Sequence, residues 1–107
     1  MATPLHSTTF PPMPDKDPDA VLFYLFDWRK WLAGTAVIQS YEILIDRVTD
    51  PPLVQEYATV VQDGTGVRVR ITGGQLGQTY TITCRITTNE SPAQTDDRSA
   101  ILRVRQR

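Results

Sequence analysis

The 107-residue sequence has few of the residues on which several common functions depend. Its single cysteine, Cys84, excludes an internal disulfide, so we expect a fold that does not need an oxidising compartment. Because a lone buried cysteine usually acts as a small apolar filler, we predict that role for Cys84. Its single histidine, His6, has no partner for general-base catalysis or metal ligation.

The sequence also lacks a basic excess and a long apolar run. The formal net charge is -1, whereas proteins that bind nucleic acid need surplus positive charge for the phosphates. The longest apolar run, Ala20 to Phe26, is far shorter than the roughly 20 residues of a membrane-spanning helix. The first residues show no signal-peptide pattern. We therefore expect a cytoplasmically made protein that binds neither nucleic acid nor a membrane.

Catalytic and metal-binding motifs are missing as well. No nucleophile elbow, Ser–His pairing or phosphate-binding loop is present. Asp15, Asp17 and Asp19 alternate as in a calcium loop. However, Ala20 and Phe26 stand where an EF-hand needs glycine and a carboxylate. We predict no enzymatic activity, no metal and no cofactor.

Short segments of alternating apolar and polar residues are what the sequence does contain. Val67–Ile71 alternates strictly, and Thr79–Thr87 places Tyr80, Ile82, Cys84 and Ile86 on one face. Four further segments are candidate strands: Ala20–Phe26, Ala36–Asp46, Leu53–Gln62 (one or two strands) and Ala100–Arg105. About seven short strands without a long helical period predict an all-β, antiparallel β-sandwich.

Three local features refine this prediction. Leu76–Tyr80 resembles a tyrosine corner, which favours an immunoglobulin-like or fibronectin-III-like sandwich without the disulfide. Asp27 is a candidate cap for one helical turn, Trp28–Ala33, ended by Gly34. Asn89–Asp97 is polar and is predicted to be a loop. In Ala36–Asp46 we predict an inward-facing set of Val37, Gln39, Tyr41, Ile43 and Ile45.

The first eighteen residues differ from the rest in composition. Five of the eight prolines lie in residues 1–18. Because proline removes an amide donor and fixes φ, this segment cannot form a helix or a central strand. We predict an extended N-terminal arm (1–18) followed by a sandwich domain (19–107). The arm is either a disordered tail or a segment that orders along a partner.

Aromatic and arginine residues are the candidate partner-binding groups. A sandwich of this size can bury one tryptophan between its sheets, so we predict one of Trp28 and Trp31 inside and the other at the surface. Outward arginines on strands either prevent edge-to-edge aggregation or dock a partner, such as the acidic segment Asp15–Asp19 of an adjacent copy. The predicted protein-interface residues are Phe23, Trp28, Trp31, Arg68, Arg70, Arg85, Arg103 and Arg105.

A family resemblance adds to this interpretation. The run Lys16–Leu22, with Tyr24, Phe26–Trp28 and Trp31–Leu32 after it, resembles the opening of the fibre-tail adaptors of tailed phages and prophages. Later residues are similar to that family's second half: Gly73–Gly74, Gly77, Tyr80–Thr88, Asp97–Ser99 and Leu102–Arg105. The middle segment, Tyr41 to Tyr57, departs from the pattern.

The resemblance implies a non-enzymatic structural protein of the virion tail or neck, made in the host bacterial cytoplasm. Such a protein works as one member of a homo-oligomeric ring and links tail fibres to the tail tube or connector. Two alternatives stay open. One is a head-tail joining or tail-completion protein. The other is a carbohydrate- or receptor-binding immunoglobulin-like module that uses Asp27, Trp28 and Trp31.

Overall fold

The computed structural model describes residues 13–106, which form two three-stranded antiparallel sheets. The strands are β1 (Leu22–Asp27), β2 (Ile38–Ile45), β3 (Leu53–Val61), β4 (Gly66–Gly73), β5 (Thr79–Thr88) and β6 (Thr95–Arg103). One sheet has the order β1-β4-β3 and the other β2-β5-β6. The predicted all-β, antiparallel architecture is confirmed. In this described part of the chain, no helix has the length and apolar character needed to span a membrane.

The core lies between the two central strands. β4 and β5 each bury every second side chain, because alternate residues of a strand point to the same side. These side chains have no exposed surface, which confirms the inward faces predicted for Val67–Ile71 and Thr79–Thr87. Full burial of each large aliphatic residue contributes about 1.5–3 kcal/mol. The central members are Val67, Val69, Ile71, Tyr80, Ile82, Cys84 and Ile86.

Two strand irregularities change the predicted pattern. The predicted segment Leu53–Gln62 contains one strand, β3, with a register shift between Glu56 and Thr59, so the described residues hold six strands where about seven were predicted. In β2, a second register shift follows Ile38. Ile38 is therefore buried although its alternation predicted an outward position. Of the predicted inward set, Ile43 and Ile45 pack against the core as predicted, whereas Gln39 and Tyr41 are exposed and that prediction is wrong for them.

Two predicted loop or helix segments are also different. Thr95–Asp97 was predicted to be loop but begins β6, where it pairs with Thr87–Arg85 of β5. Trp28 begins a hydrogen-bonded turn and not the predicted turn of helix. Its carbonyl accepts from the amides of Trp31 and Leu32, both at 3.0 Å.

The described part of the N-terminal arm lies along the chain's own β6. The amide of Met13 donates to the carbonyl of Ile101 at 2.8 Å, and the amide of Lys16 donates to that of Arg103 at 2.9 Å. The amide of Arg105 returns a bond to Lys16 at 2.8 Å. The expectations for residues 1–12, including His6, lie outside the described residues.

Candidate protein-interface surface

The outer side of the β1-β4-β3 sheet exposes large apolar side chains. β1 turns its even-numbered residues toward the core, so Phe23 on the opposite side is 61% exposed. Tyr57 of β3 is 73% exposed and has a positive φ of 53° at the strand irregularity. We name this surface the aromatic–arginine face, and it consists of Val21, Phe23, Leu25, Val54, Tyr57, Arg68 and Arg70.

Two arginines of the central strand β4 lie over the aromatic rings of this face. The guanidinium carbon of Arg68 is 5.1 Å from the ring centroid of Phe23, and that of Arg70 is 5.4 Å from the ring centroid of Tyr57. Arg70 also pairs with Glu56 at 3.1 Å. Each exposed cation–π contact contributes about 0.5–1 kcal/mol and holds the guanidinium flat. The structure thus brings together three of the predicted interface residues.

The outer side of the β2-β5-β6 sheet has a different chemistry. Arg85 makes two hydrogen bonds to the Asp97 carboxylate, at 2.8 and 3.0 Å. Hydroxyl groups pair across β5 and β6, with Thr83 and Ser99 at 2.7 Å. The polar groups named here therefore find partners within their own sheet. Arg85 lies on this hydroxyl-rich face and not on the aromatic–arginine face.

The last two predicted arginines lie near the described arm. Arg103 is exposed at the end of β6, opposite Thr79. Arg105 pairs with Asp15 of the same chain at 3.1 Å. The acidic segment that was predicted to meet arginines of an adjacent copy thus contacts one within its own chain.

The two tryptophans occupy different environments. Trp28 is fully buried, and the guanidinium carbon of Arg98 lies 4.5 Å from its ring centroid. Its predicted interface role is therefore corrected, because it offers no exposed surface to a partner. Trp31 packs edge-to-face on Trp28 at 5.6 Å and remains half-buried. Near this cluster, burial raises the pKa of the Cys84 thiol to about 12, with the Trp28 side chain acting in the opposite direction.

Lys16 is a buried cation whose role the sequence prediction missed. Its ammonium donates to the carbonyls of Asp17 at 2.9 Å, Pro18 at 3.3 Å and Gly73 at 2.6 Å. Burial lowers the pKa of Lys16, and the nearby Asp17 and Asp19 charges oppose that shift. The lysine therefore joins the arm to the end of β4. The sequence signal that could have indicated this role is the run Lys-Asp-Pro-Asp, because it predicts a turn whose backbone carbonyls lie close to the lysine.

Tyr80 joins two loops at one end of the sandwich. Its hydroxyl accepts from the amide of Gln75 at 2.9 Å, which is the backbone contact that defines a tyrosine corner. It also lies 2.6 Å from Thr49 Oγ1, which donates to the Pro51 carbonyl at 2.8 Å. Tyr80 is thus the donor to Thr49. The predicted corner contact is confirmed, and it extends to the β2–β3 loop.

These joined loops display two apolar side chains. Val48 of the β2–β3 loop is 92% exposed, and Leu76 of the corner is 53% exposed. Arg47 links the same loops through a 3.3 Å bond to the side chain of Gln78. We name Val48 and Leu76 the apolar tip.

One carboxylate and three cations meet where β1 ends, in a depression lined by Asp27, Arg29, Lys30 and Arg98. Asp27 pairs with Arg29 at 2.7 Å, and the hydrogen bonds from Arg29 lower the pKa of Asp27. The carboxylate therefore stays ionised near neutral pH and is suited to an ion pair. Within residues 13–106, no group of three or more His, Cys, Asp or Glu residues could hold a metal ion.

The chain was compared with known proteins. A family model described as podophage GP4 fiber-tail adaptor protein gp77 matches residues 16–103 of the 107. A search of curated proteins finds no match. The matched range includes Lys16 and its turn, the aromatic–arginine face, the tyrosine corner and all of β6. The chain therefore belongs to the podophage GP4 fiber-tail adaptor family and is a component of the virion tail.

Proposed function

We propose that this chain is a non-enzymatic adaptor that assembles as a homo-oligomeric ring and links tail fibres to the tail tube or connector. The observation that carries the ring is the aromatic–arginine face. Five of the eight exposed large apolar side chains in the described residues belong to it. Extended apolar patches on soluble domains typically mark surfaces that another molecule covers.

The composition of the face suits protein partners. Arginine and aromatic residues are enriched in protein interfaces, where the guanidinium can stack on a ring and still donate from its edges. Full burial of a phenylalanine contributes about 1.5–3 kcal/mol. Because Phe23 keeps 61% of its surface exposed, covering it contributes roughly 1–2 kcal/mol to association. A contact of this size is weak alone and becomes stable when a ring engages many copies together.

Two further features support the proposal. We assign the sandwich to the immunoglobulin-like or fibronectin-III-like class, with the Tyr80 corner contact as support. The alternative of a sugar-binding module has less support, because such a module needs exposed indole rings and the ring of Trp28 is fully buried.

The proposal is tested by native mass spectrometry and by binding to purified tail particles. The intact chain is expected to form a closed oligomer and to bind the particles. Phe23→Ser combined with Tyr57→Ser should leave a folded monomer, because both side chains are mostly exposed. A matched control, Thr83→Ala with Thr87→Ala on the hydroxyl-rich face, should keep the oligomer. A chain that stays monomeric and does not bind tail particles refutes the proposal.

A further inference from the structure

We propose that the aromatic–arginine face receives the apolar tip of a second copy of this chain, in a head-to-tail contact. This inference rests on the proposed ring and names the two surfaces that meet in it. The tip supplies Val48, with Asp50 of the same loop following it in sequence after Thr49, and the face supplies Phe23 and Arg68.

The tip is suited to insertion because it is both exposed and held in place. Val48 is the most exposed large apolar side chain in the described residues, at 92%. Its loop is tied to the corner through the chain of hydrogen bonds from Gln75 to Tyr80 to Thr49. A loop fixed in this way loses little conformational freedom on binding, and such preorganisation strengthens association.

Charge complementarity selects a second copy as the occupant. Among residues 13–106, neither Arg68 nor Asp50 has an ion-pair partner within 4.0 Å. The face contains two arginines, and Glu56, which lies beside the face, pairs with Arg70 and leaves Arg68 unbalanced. The β2–β3 loop has the opposite surplus, with Asp46 and Asp50 against Arg47. Contact between the apolar tip of one copy and the aromatic–arginine face of another therefore brings opposite charges together.

Symmetric pairing is disfavoured by the same charges. Two aromatic–arginine faces in contact place Arg68 and Arg70 of each copy against like charges, which opposes association. Two tips in contact place acidic loops together. A head-to-tail contact avoids both, and it leaves one face and one tip free on each pair for the next copy. Repetition of such a contact generates a ring when the rotation closes.

Cross-linking between single-cysteine variants tests this contact. Phe23→Cys and Val48→Cys are made in separate chains and treated with a short bismaleimide. Cys84 does not interfere, because it is fully buried and its thiol pKa is about 12. The mixture is expected to give a cross-linked dimer, while each variant alone gives little. Thr83→Cys mixed with Val48→Cys is the matched control and should give background only.

Charge reversal supplies the second arm of the test. Arg68→Asp and Asp50→Arg are each expected to weaken self-association about two- to fivefold, as for an exposed ion pair, and their combination should restore it. Efficient cross-linking of Phe23→Cys alone overturns the inference in favour of a symmetric contact. An oligomer that forms without the mixed cross-link overturns the inference and leaves the ring standing. A chain that forms no oligomer overturns both.

Discussion

We expect the buried thiol of Cys84 to lower the stability of this domain as the pH becomes alkaline. The thiol lies on the inward face of β5, in the core of the domain, and burial raises its pKa from an ordinary 9.0 to about 12. In the unfolded chain the thiol ionises near its ordinary value, whereas in the folded chain it keeps its proton. Between these two values the folded state binds more protons, so stability falls as pH rises.

The magnitude follows from the two pKa values. For a thiol that ionises at 9.0 unfolded and at about 12 folded, the loss is negligible at pH 7. It reaches about 0.4 kcal/mol at pH 9 and about 1.4 kcal/mol at pH 10. Cys84→Ala removes this group. The variant is less stable than the wild type at pH 7 because of the small cavity, but its stability should fall less between pH 7 and 10.

Urea denaturation followed by tryptophan fluorescence measures this difference under reducing conditions. The free energy of unfolding of the wild type, minus that of Cys84→Ala, should decrease by about 1.4 kcal/mol between pH 7 and pH 10. With a typical slope, this corresponds to roughly 1 M in the urea midpoint. Burial also raises the pKa of Tyr24, so Tyr24 adds to the pH dependence of stability. Because both proteins contain Tyr24, its contribution cancels in the difference. Parallel pH profiles for the two proteins would refute the reasoning.

Four further substitutions test the packing and the hydrogen bonds that hold the domain together. Trp28→Ala should destabilise the domain by about 3–5 kcal/mol in urea denaturation, because the indole is fully buried, while the half-buried Trp31→Ala leaves a folded domain by circular dichroism. Lys16→Met removes the ammonium that donates to three carbonyls, of which the Asp17 carbonyl also accepts from the amide of Ala20. It should cost at least about 2 kcal/mol in the same assay, a result that an unchanged midpoint would contradict. Tyr80→Phe should cost about 1–2 kcal/mol and speed hydrogen exchange at the Gln75 amide, and unaltered exchange would contradict the tie between the loops.

The features that the sequence predicts well are those with a two-residue period. Val67–Ile71 and Thr79–Thr87 alternate without interruption, so their inward faces follow from strand geometry alone. The same geometry brings Phe23 beside Arg68 and Arg70, because an antiparallel neighbour places outward residues on a common face. This part of the candidate interface is therefore predictable from local pattern and from the order of the strands.

The features that escaped prediction depend on contacts between distant segments. The shift after Ile38 reverses the alternation of β2, and no residue type there signals it. From the sequence alone, Lys16 is expected to be a solvated charge. Its burial depends on the carbonyl of Gly73, at the end of β4, which lies next to the turn that follows Lys16. Thr95–Asp97 was predicted to be loop because its side chains are polar, yet Thr95 and Asp97 lie on the outer face of β6, where Asp97 pairs with Arg85.

The two outer faces show why residue type alone does not identify a docking surface. Arg68 and Arg85 both point outward from the central strand of a sheet, and sequence patterning treats them alike. Arg85 is held by Asp97 and lies 3.8 Å from Glu42, so a partner would have to compete with bonds already made. Arg68 rests on the Phe23 ring and has no carboxylate within ion-pair distance in the described part of the chain. A carboxylate from a neighbouring copy therefore gains a new contact at Arg68 and only replaces one at Arg85, which favours the aromatic–arginine face for assembly.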